Sequence, residues 1–338
     1  MARPVLVTGG AGYIGSHAAK ALAQAGYLPV TYDNLRHGHR AAVRWGPLEE
    51  GDLLDPSRLD AVLRKWRPEA ALHFAGLISV GESVENPGLY YQHNLVGSLN
   101  LVQAMRASNV GRIVFSSTAA VYGTPDVAPI PETAPLRPLN PYGSSKAMTE
   151  SVFADFGHAH GLRSVALRYF NAAGADPEGE TGETHEPETH LIPLALDALA
   201  GRRGPLTIYG EDYATVDGTC LRDYVHVSDL ATAHVQALEY TGTCPAGTST
   251  AFNLGSGTGF TVRQVLDSIT RVSGRSVPVR VGARRPGDSA ALVADPARAR
   301  EVLGWSPQLS DIDTIVRTAL AWTRSWTHKH GSRGGSPP

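Results

Sequence analysis

The sequence predicts an α/β protein: a doubly wound parallel sheet carrying a smaller mixed α/β lobe. Three observations lead there. Apolar strand-like runs alternate with helix-like stretches through the first half of the 338 residues, a rhythm that requires parallel strands joined by helical crossovers. A glycine-rich turn sits between the first strand and the first helix. Beyond residue 171 the rhythm gives way to a polar, turn-rich stretch, after which a second set of helices and strands begins.

Residues 5–8 are the first strand and 13–26 its helix, with Gly26 placed as the C-terminal stop. Residues 28–32 follow as a strand. Asp55 and Pro56 then supply an N-cap and a first-turn proline for a helix ending near Arg67. Strands over 70–74, 112–117 and 164–171 alternate with helices over 87–107 and 141–160, the latter stopped by Gly161. Residues 172–190 hold too many turn formers for regular structure and read as a solvated loop or lid. Helices over 191–202, 228–240 and 261–273 and strands over 206–209, 251–254 and 277–281 make up the second half. An amphipathic helix over 311–326 and a disordered Gly/Ser/Pro tail close the chain. This divides the protein into a nucleotide-binding domain of residues 1–171 plus about 215–243, and a lobe of 172–214 plus about 244–328. Residues 329–338 form the tail.

Composition narrows the function. A chain that is 42% hydrophobic and 18% charged is not disordered. Thirty basic against 32 acidic side chains give a net charge of −2, which argues against a nucleic-acid partner. No apolar run approaches the ~18 residues of a membrane span, so no membrane is expected. The start of the chain enters strand and turn at once, which leaves no room for a signal peptide. Two cysteines, Cys220 and Cys244, suit a reducing, cytoplasmic setting. Only four lysines occur, so a lysine at a chemically useful position is less easily accidental.

Thr8-Gly9-Gly10-Ala11-Gly12-Tyr13-Ile14-Gly15 is the strongest local signal. Gly9, Gly12 and Gly15 permit a tight turn, close approach of a pyrophosphate and close helix–strand packing, the fingerprint of a Rossmann domain. The helix N-terminus offers N–H groups to phosphates. Asp33, 18 residues after Gly15, ends the second strand, where its carboxylate can accept from a ribose and repel a 2′-phosphate. The expected cofactor is therefore NAD. A second cluster, Gly255-Ser-Gly-Thr-Gly259, has Phe260 at the place of the third glycine and reads as loop geometry.

Tyr142 and Lys146 lie four apart on one helical face, which Phe153 and Phe156 extend as a buried stripe. A phenol titrates near 10. An ammonium at ~4 Å with an effective dielectric near 20 favours the phenolate by about 4 kcal/mol, enough for a general base near neutrality. Ser116-Ser117-Thr118 ends the preceding strand, where open α/β sheets place ligands.

Six stretches in order carry a resemblance. They are His73-Phe-Ala-Gly-Leu77 with Val80-Gly-Glu-Ser83, Phe115-Ser-Ser-Thr-Ala-Ala-Val-Tyr-Gly123, Asn140-Pro-Tyr-Gly-Ser-Ser-Lys146, Arg168-Tyr-Phe-Asn-Ala-Ala-Gly-Ala175, Arg222-Asp-Tyr-Val-His-Val227 and Arg284-Arg-Pro-Gly-Asp288. With them the chain, from about Val5 to Trp326, resembles the extended short-chain dehydrogenase/reductase family, and within it the branch of UDP-hexose 4-epimerases. The resemblance implies NAD contacts from Tyr13, Ile14, Asp33, Asn34, Asp52, Leu53, Phe74, Ala75, Gly76, Asn94, Tyr142, Lys146 and Phe170. It implies sugar-nucleotide contacts from Thr118, Tyr142, Asn171, His190, Leu191, Tyr209, Arg222, Arg285 and Asp288. Arginine forks suit a diphosphate.

The implied reaction interconverts UDP-galactose and UDP-glucose through a transient 4-keto sugar, with Tyr142, Thr118 and Lys146 catalytic. The implied assembly is a homodimer packed through the helices near 87–107 and 141–160. Ala119 and Ala120 follow Thr118 where dehydratases and decarboxylases of the family place an acid, which argues against those reactions. A net NAD-dependent oxidoreductase shares the same triad and stays open. Ile78 and Ser144 stand where many family members carry lysines, which affects cofactor grip rather than chemistry. Leu292 stands where some carry a tyrosine, so UDP-N-acetylglucosamine is an open second substrate. His185-Glu-Pro-Glu-Thr-His190 does not have zinc-protease spacing, and Pro187 spoils the helix that would align its imidazoles, so no metal is expected.

Overall fold

The computed structural model describes residues 3–285 and 289–330, with side chains through residue 326. The first half runs β1 (Arg3–Thr8), α1 (Tyr13–Gln24), β2 (Tyr27–Asp33), β3 (Leu48–Glu50), α2 (Pro56–Trp66), β4 (Ala70–His73), α3 (Val80–Glu85), α4 (Pro87–Tyr90), α5 (Gly97–Ala107), β5 (Arg112–Thr118), α6 (Pro141–His160) and β6 (Arg163–Tyr169). The second half runs β7 (Asn171–Ala173), α7 (Leu191–Leu199), β8 (Leu206–Tyr209), β9 (Leu221–His226), α8 (Val227–Thr243), β10 (Ser249–Leu254), β11 (Gly259–Thr261), α9 (Val262–Ser273), β12 (Val279–Gly282), β13 (Ala291–Leu292), α10 (Ala297–Leu303) and α11 (Ile312–His330).

Seven parallel strands form the main sheet in the order β3-β2-β1-β4-β5-β6-β10. Strand pleating sends alternate side chains to opposite faces. Val5 and Val7 enter the core beneath α1 and α8, while Leu6 enters the core beneath α2, α5 and α6. Local chemistry sets the helix ends as expected: Asp55 accepts from Arg58 N and caps α2, and Gly161 ends α6 in the left-handed region.

The structure departs from the sequence reading at several places. Residues 164–171 are not one strand. β6 stops at Tyr169, and Asn171 begins β7, which pairs with β9 in the smaller sheet. Ser249–Leu254, expected in the smaller lobe, is the edge strand of the main sheet beside β6. The stretch 87–107 is helical throughout but passes through a π-helical segment at Tyr91–Val96. β9 was hidden by Arg222 and Asp223. Asp223 is nonetheless fully buried, because its carboxylate accepts from Ser256, Gly257 and Ala294 N–H groups. The last helix continues through Lys329 and His330, and residues 331–338 of the expected tail lie outside the described residues.

In the smaller lobe β11-β9-β13, with β7 on β9, form one sheet and β12-β8 another. The core there joins α7, α9 and α11 to both sheets. Among the described residues no helix is long and apolar enough to cross a membrane.

Candidate active site

β1 ends where the strand order turns back on itself, the crevice in which open α/β sheets take ligands. Gly9 there has φ +72. A Cβ on Gly9 would lie 2.6 Å from Ala75 N, and one on Gly15 would lie 2.2 Å from Gly9 O. These two glycines let turn, strand and helix close together. Gly12 differs, since its Cβ would meet only Gly9 O, at 3.3 Å, leaving the outer side of the turn clear. It also N-caps α1 without a side chain, so the first-turn N–H groups are left to an anion.

Asp33 Oδ2 accepts from Ala11 N at 3.0 Å and Oδ1 from Leu35 N at 2.8 Å. Burial pushes this carboxyl above its ordinary range, and the two N–H bonds pull it back. Each oxygen keeps a lone pair for a ribose hydroxyl. Asn34 donates to Asp52 Oδ2 at 2.8 Å, drawing the next loop alongside, and Leu53 beside it is buried. Cradle, uncapped helix end and anchored carboxylate together fit a dinucleotide.

After β4, Phe74 N and Ala75 N both donate to Thr8 O, at 2.9 and 3.1 Å, which pins this loop to the glycine turn. A Cβ on Gly76 would lie 3.1 Å from Asn94 Oδ1 and 3.5 Å from Lys146 Nζ. Asn94 spends its amide on the protein: it accepts from Leu77 N at 2.7 Å and donates to Leu77 O and Ser145 Oγ. It is a buried strut between this loop and α6, at the π-helical segment. Tyr13 donates its phenol to Gly174 O at 2.7 Å, and Ile14 packs on the core.

Asn140 caps α6 by accepting from Gly143 N at 2.9 Å, which sets Tyr142 in the first turn. Thr118 ends β5 and hydrogen-bonds the Tyr142 phenol. Burial raises that phenol above its ordinary value, and the Thr118 bond lowers it. Lys146 is buried, donates to Ser116 O at 3.0 Å and lies 4.8 Å over the Phe115 ring. Burial pulls its ammonium down to about 8, and Glu150 opposes that. The ammonium thus meets a carbonyl and a π face, the contacts that compensate a buried cation.

Thr118 pairs with Tyr169 in the β5–β6 register. Two residues on, Asn171 begins the wall of a cleft of about 240 Å³ in the smaller lobe. Asn171, His190, Leu191, Tyr209, Arg222 and Arg285 all line it. The Arg285 guanidinium lies 4.1 Å over the Tyr209 ring, and Arg222 Nη1 donates to Leu221 O and Ser289 O. Phe170 sits with Leu292, Tyr122 and Ile130 beside this wall. Asp288 lies outside the described residues.

The stretch 183–190 is a loop, exposed at Glu186, Pro187 and Thr189 as a solvated loop should be, but with Glu183 buried. Glu183 is buried and turned inward, and its Oε1 lies 2.8 Å from His190 Nδ1. Glu188 Oε1 lies 2.9 Å from the same nitrogen. Burial alone would favour neutral His190, but the two carboxylates override it and raise the imidazole to about 10. Sequence reasoning missed Glu183 and Glu188 as determinants of the site, although the alternation of Glu and His over these residues was the available signal. The second glycine cluster wraps the Asp223 carboxylate through Ser256 N and Gly257 N, so loop geometry is its role.

Fold and site together define a dinucleotide-binding enzyme with a tyrosine–threonine–lysine group at the end of β5 and a cationic cleft that begins just past the end of β6. A family model described as the NAD dependent epimerase/dehydratase family matches residues 5–255, and the chain belongs to that family. It is 55% identical over 318 residues to a UDP-glucose 4-epimerase of Rhizobium leguminosarum bv. trifolii, covering 94% of this chain and 96% of that protein. The crystal structure of UDP-glucose 4-epimerase from Brucella ovis in complex with NAD superposes with a TM-score of 0.92 at 53% identity, covering 95% of this chain and 98% of that one. That from Bifidobacterium longum in complex with NAD+ and UDP superposes with a TM-score of 0.90 at 36% identity, covering 95% and 98%.

Proposed function

We propose that the protein is an NAD-dependent isomerase that inverts C4 of a UDP-hexose, interconverting UDP-galactose and UDP-glucose. The observation that carries this reading is the Thr118–Tyr142 hydroxyl pair at the sheet's C-terminal edge, two residues in register from the mouth of the cationic cleft. Gly9, Gly12, Gly15, Asp33 and the loops at Asp52 and Phe74 would hold NAD, whose chemistry when bound is the loan and return of one hydride at C4. Tyr142 takes the 4-hydroxyl proton as a phenolate, a form that burial opposes and that the Thr118 bond and the Lys146 charge favour, and Thr118 hydrogen-bonds the same oxygen. Lys146, charged below about pH 8, keeps the floor of the site positive. Arg222 and Arg285 would anchor the diphosphate while the flat 4-keto sugar turns in the cleft to present its other face, and Tyr142 returns the proton to the C4 oxygen.

The reaction is redox-neutral, and that is its test. Purified protein given UDP-galactose without added NADH converts it to UDP-glucose. A requirement for stoichiometric NADH would instead mark a net reductase.

Leu292, half-buried beside Phe170 and paired in register with Arg222, favours a second substrate. A leucine there leaves room that a tyrosine would fill, and UDP-N-acetylglucosamine is the candidate. The setting we infer is cytoplasmic, in keeping with two free cysteines. The assembly we infer is a homodimer through α6 and the helices before it, where Val84 and Met148 are exposed. Light scattering on the purified protein reads that mass directly.

A further inference from the structure

We propose that Glu183, His185, Glu188 and His190 form a binding site for one divalent transition-metal ion, zinc by the chemistry of the donors. One ligand atom from each of the four lies within 4.8 Å of all the others. His185 Nδ1 is 3.0 Å from Glu183 Oε1, and His190 Nδ1 is 2.8 and 2.9 Å from Glu183 Oε1 and Glu188 Oε1. Zinc bonds of about 2.0–2.1 Å imply ligand-to-ligand edges of roughly 3.3 Å in a tetrahedron. The three close pairs reach that geometry by opening a few tenths of an ångström, and the remaining pairs, within 4.8 Å, by closing around the ion.

A second observation is independent of these distances. The Glu188 side chain is only 6% exposed, yet its Oε2 has no hydrogen-bond partner in the structure. Leaving a buried carboxylate oxygen unsatisfied is costly, and a cation bound at Oε2 would remove that cost. A divalent ion would neutralise the two carboxylates in place of the His190 proton, which binding would release. Paired imidazole and carboxylate donors suit zinc better than the oxygen-seeking magnesium or calcium.

The loop that carries the ligands is anchored on several sides. Glu188 Oε1 is held by Thr189 N at 2.7 Å and His190 N at 2.9 Å. Trp322 Nε1 donates to Glu183 O at 3.1 Å, and His39 Nε2 is 3.1 Å from Thr184 O. The His185 ring meets Tyr13 edge-on with centroids 6.0 Å apart. Four protein ligands leave no open position, so the ion is structural rather than catalytic. It ties the cleft wall at Glu183 and His190 to Tyr13, where the dinucleotide helix begins. Pro187 excludes a helix here, but loop folding gathers the ligands without one.

The test uses the full chain, stripped by a chelator, returned to chelator-free buffer and titrated with zinc chloride. One zinc per chain survives gel filtration, and the thermal midpoint rises with added zinc. The His185→Asn/Glu188→Gln double variant binds zinc at least 100-fold more weakly and shows no such rise. Cobalt(II) added to the unaltered protein gives the visible bands of nitrogen and oxygen coordination, so the outcome does not depend on the variant folding. A stoichiometry well below one, equal binding by the variant, or a cobalt–thiolate charge-transfer band from Cys220 would each overturn the assignment. Metal loading is read without turnover, so this site stands or falls separately from the epimerase reading.

Discussion

Glu150→Gln asks how the active-site lysine is kept charged. Glu150 follows Lys146 by one helical turn, and its side chain is 11% exposed. It accepts from Arg168 Nε at 3.1 and 3.2 Å and from Ser117 Oγ. Burial draws the Lys146 ammonium down to about 8, and the Glu150 carboxylate is the group that resists. Charges one turn apart are roughly 6 Å distant, and at an effective dielectric near 20 they interact by about 3 kcal/mol, or two pH units. Arg168 shares the carboxylate, so about one to two pH units is the expected loss. Lowering a lysine pKa removes its charge at lower pH. The alkaline limb of kcat against pH, near 8 in the unaltered enzyme, therefore moves to between about 6 and 7, and the rate at pH 8 falls roughly 10-fold. The assay is UDP-galactose turnover from pH 6 to 9. Urea unfolding alongside should show a loss of about 3–5 kcal/mol, because Arg168 stays buried without its carboxylate. If stability falls while the alkaline limb stays at 8, Glu150 is purely structural and the electrostatic reasoning fails.

Tyr142→Phe removes the proton acceptor and should lower kcat by about 10²–10⁴-fold, with UDP binding by calorimetry unchanged; a rate within a few-fold of normal would reassign the base. Gly15→Ala drives a Cβ to 2.2 Å from Gly9 O, which should cost about 1–3 kcal/mol of stability and release NAD. Gly12→Ala puts its Cβ 3.3 Å from Gly9 O, tight but not overlapping, and leaves a poorer N-cap, so it should cost at most about 1 kcal/mol, less than Gly15→Ala, and lose NAD; NAD content after gel filtration and thermal melting separate them, and equal destabilisation would refute the distinction. Leu292→Tyr should suppress turnover of UDP-N-acetylglucosamine and spare UDP-galactose, and unchanged N-acetylhexosamine turnover would remove Leu292 as the determinant.

Whatever is governed by local physics was legible beforehand. The glycine turn, the Asp55 cap and the limits of α6 follow from backbone freedom, missing N–H groups and capping side chains within a few residues. What was hidden depends on partners distant in sequence. β3, β11 and β13 are two or three residues long and exist only because a longer neighbour pairs with them. Asp223 reads as a surface residue until the loop at Ser256 supplies its donors. Lys146 and Tyr142 were visible as a pair, yet only the folded chain shows that Thr118 holds the phenol and Ser116 the ammonium. Glu183 and Glu188 looked like loop solvation because burial of a charge depends on the opposite charge it meets.

The two lobes are joined where the chemistry needs them fixed. Along α1, Tyr13 donates to Gly174 O, Ser16 Oγ meets Thr181 Oγ1 at 2.8 Å, and Lys20 reaches both Asp176 oxygens at 2.8 Å. Glu178 and Glu180 close around the same ammonium, whose side chain is 9% exposed and held above the usual lysine range. The helix whose N-terminus faces the dinucleotide thus also carries the loop that forms the cleft wall. Prising the lobes apart would strand Lys20 or Asp176 as an unpaired buried charge, a cost of several kcal/mol. A reductase that exchanges its cofactor at every turnover has to meet such a cost each time. An enzyme that returns the hydride it borrows does not, because the sugar alone must move, and a small ring can turn within the cleft while the lobes remain locked. The clamp along α1 therefore favours a retained cofactor, and a retained cofactor is what a redox-neutral inversion at C4 requires.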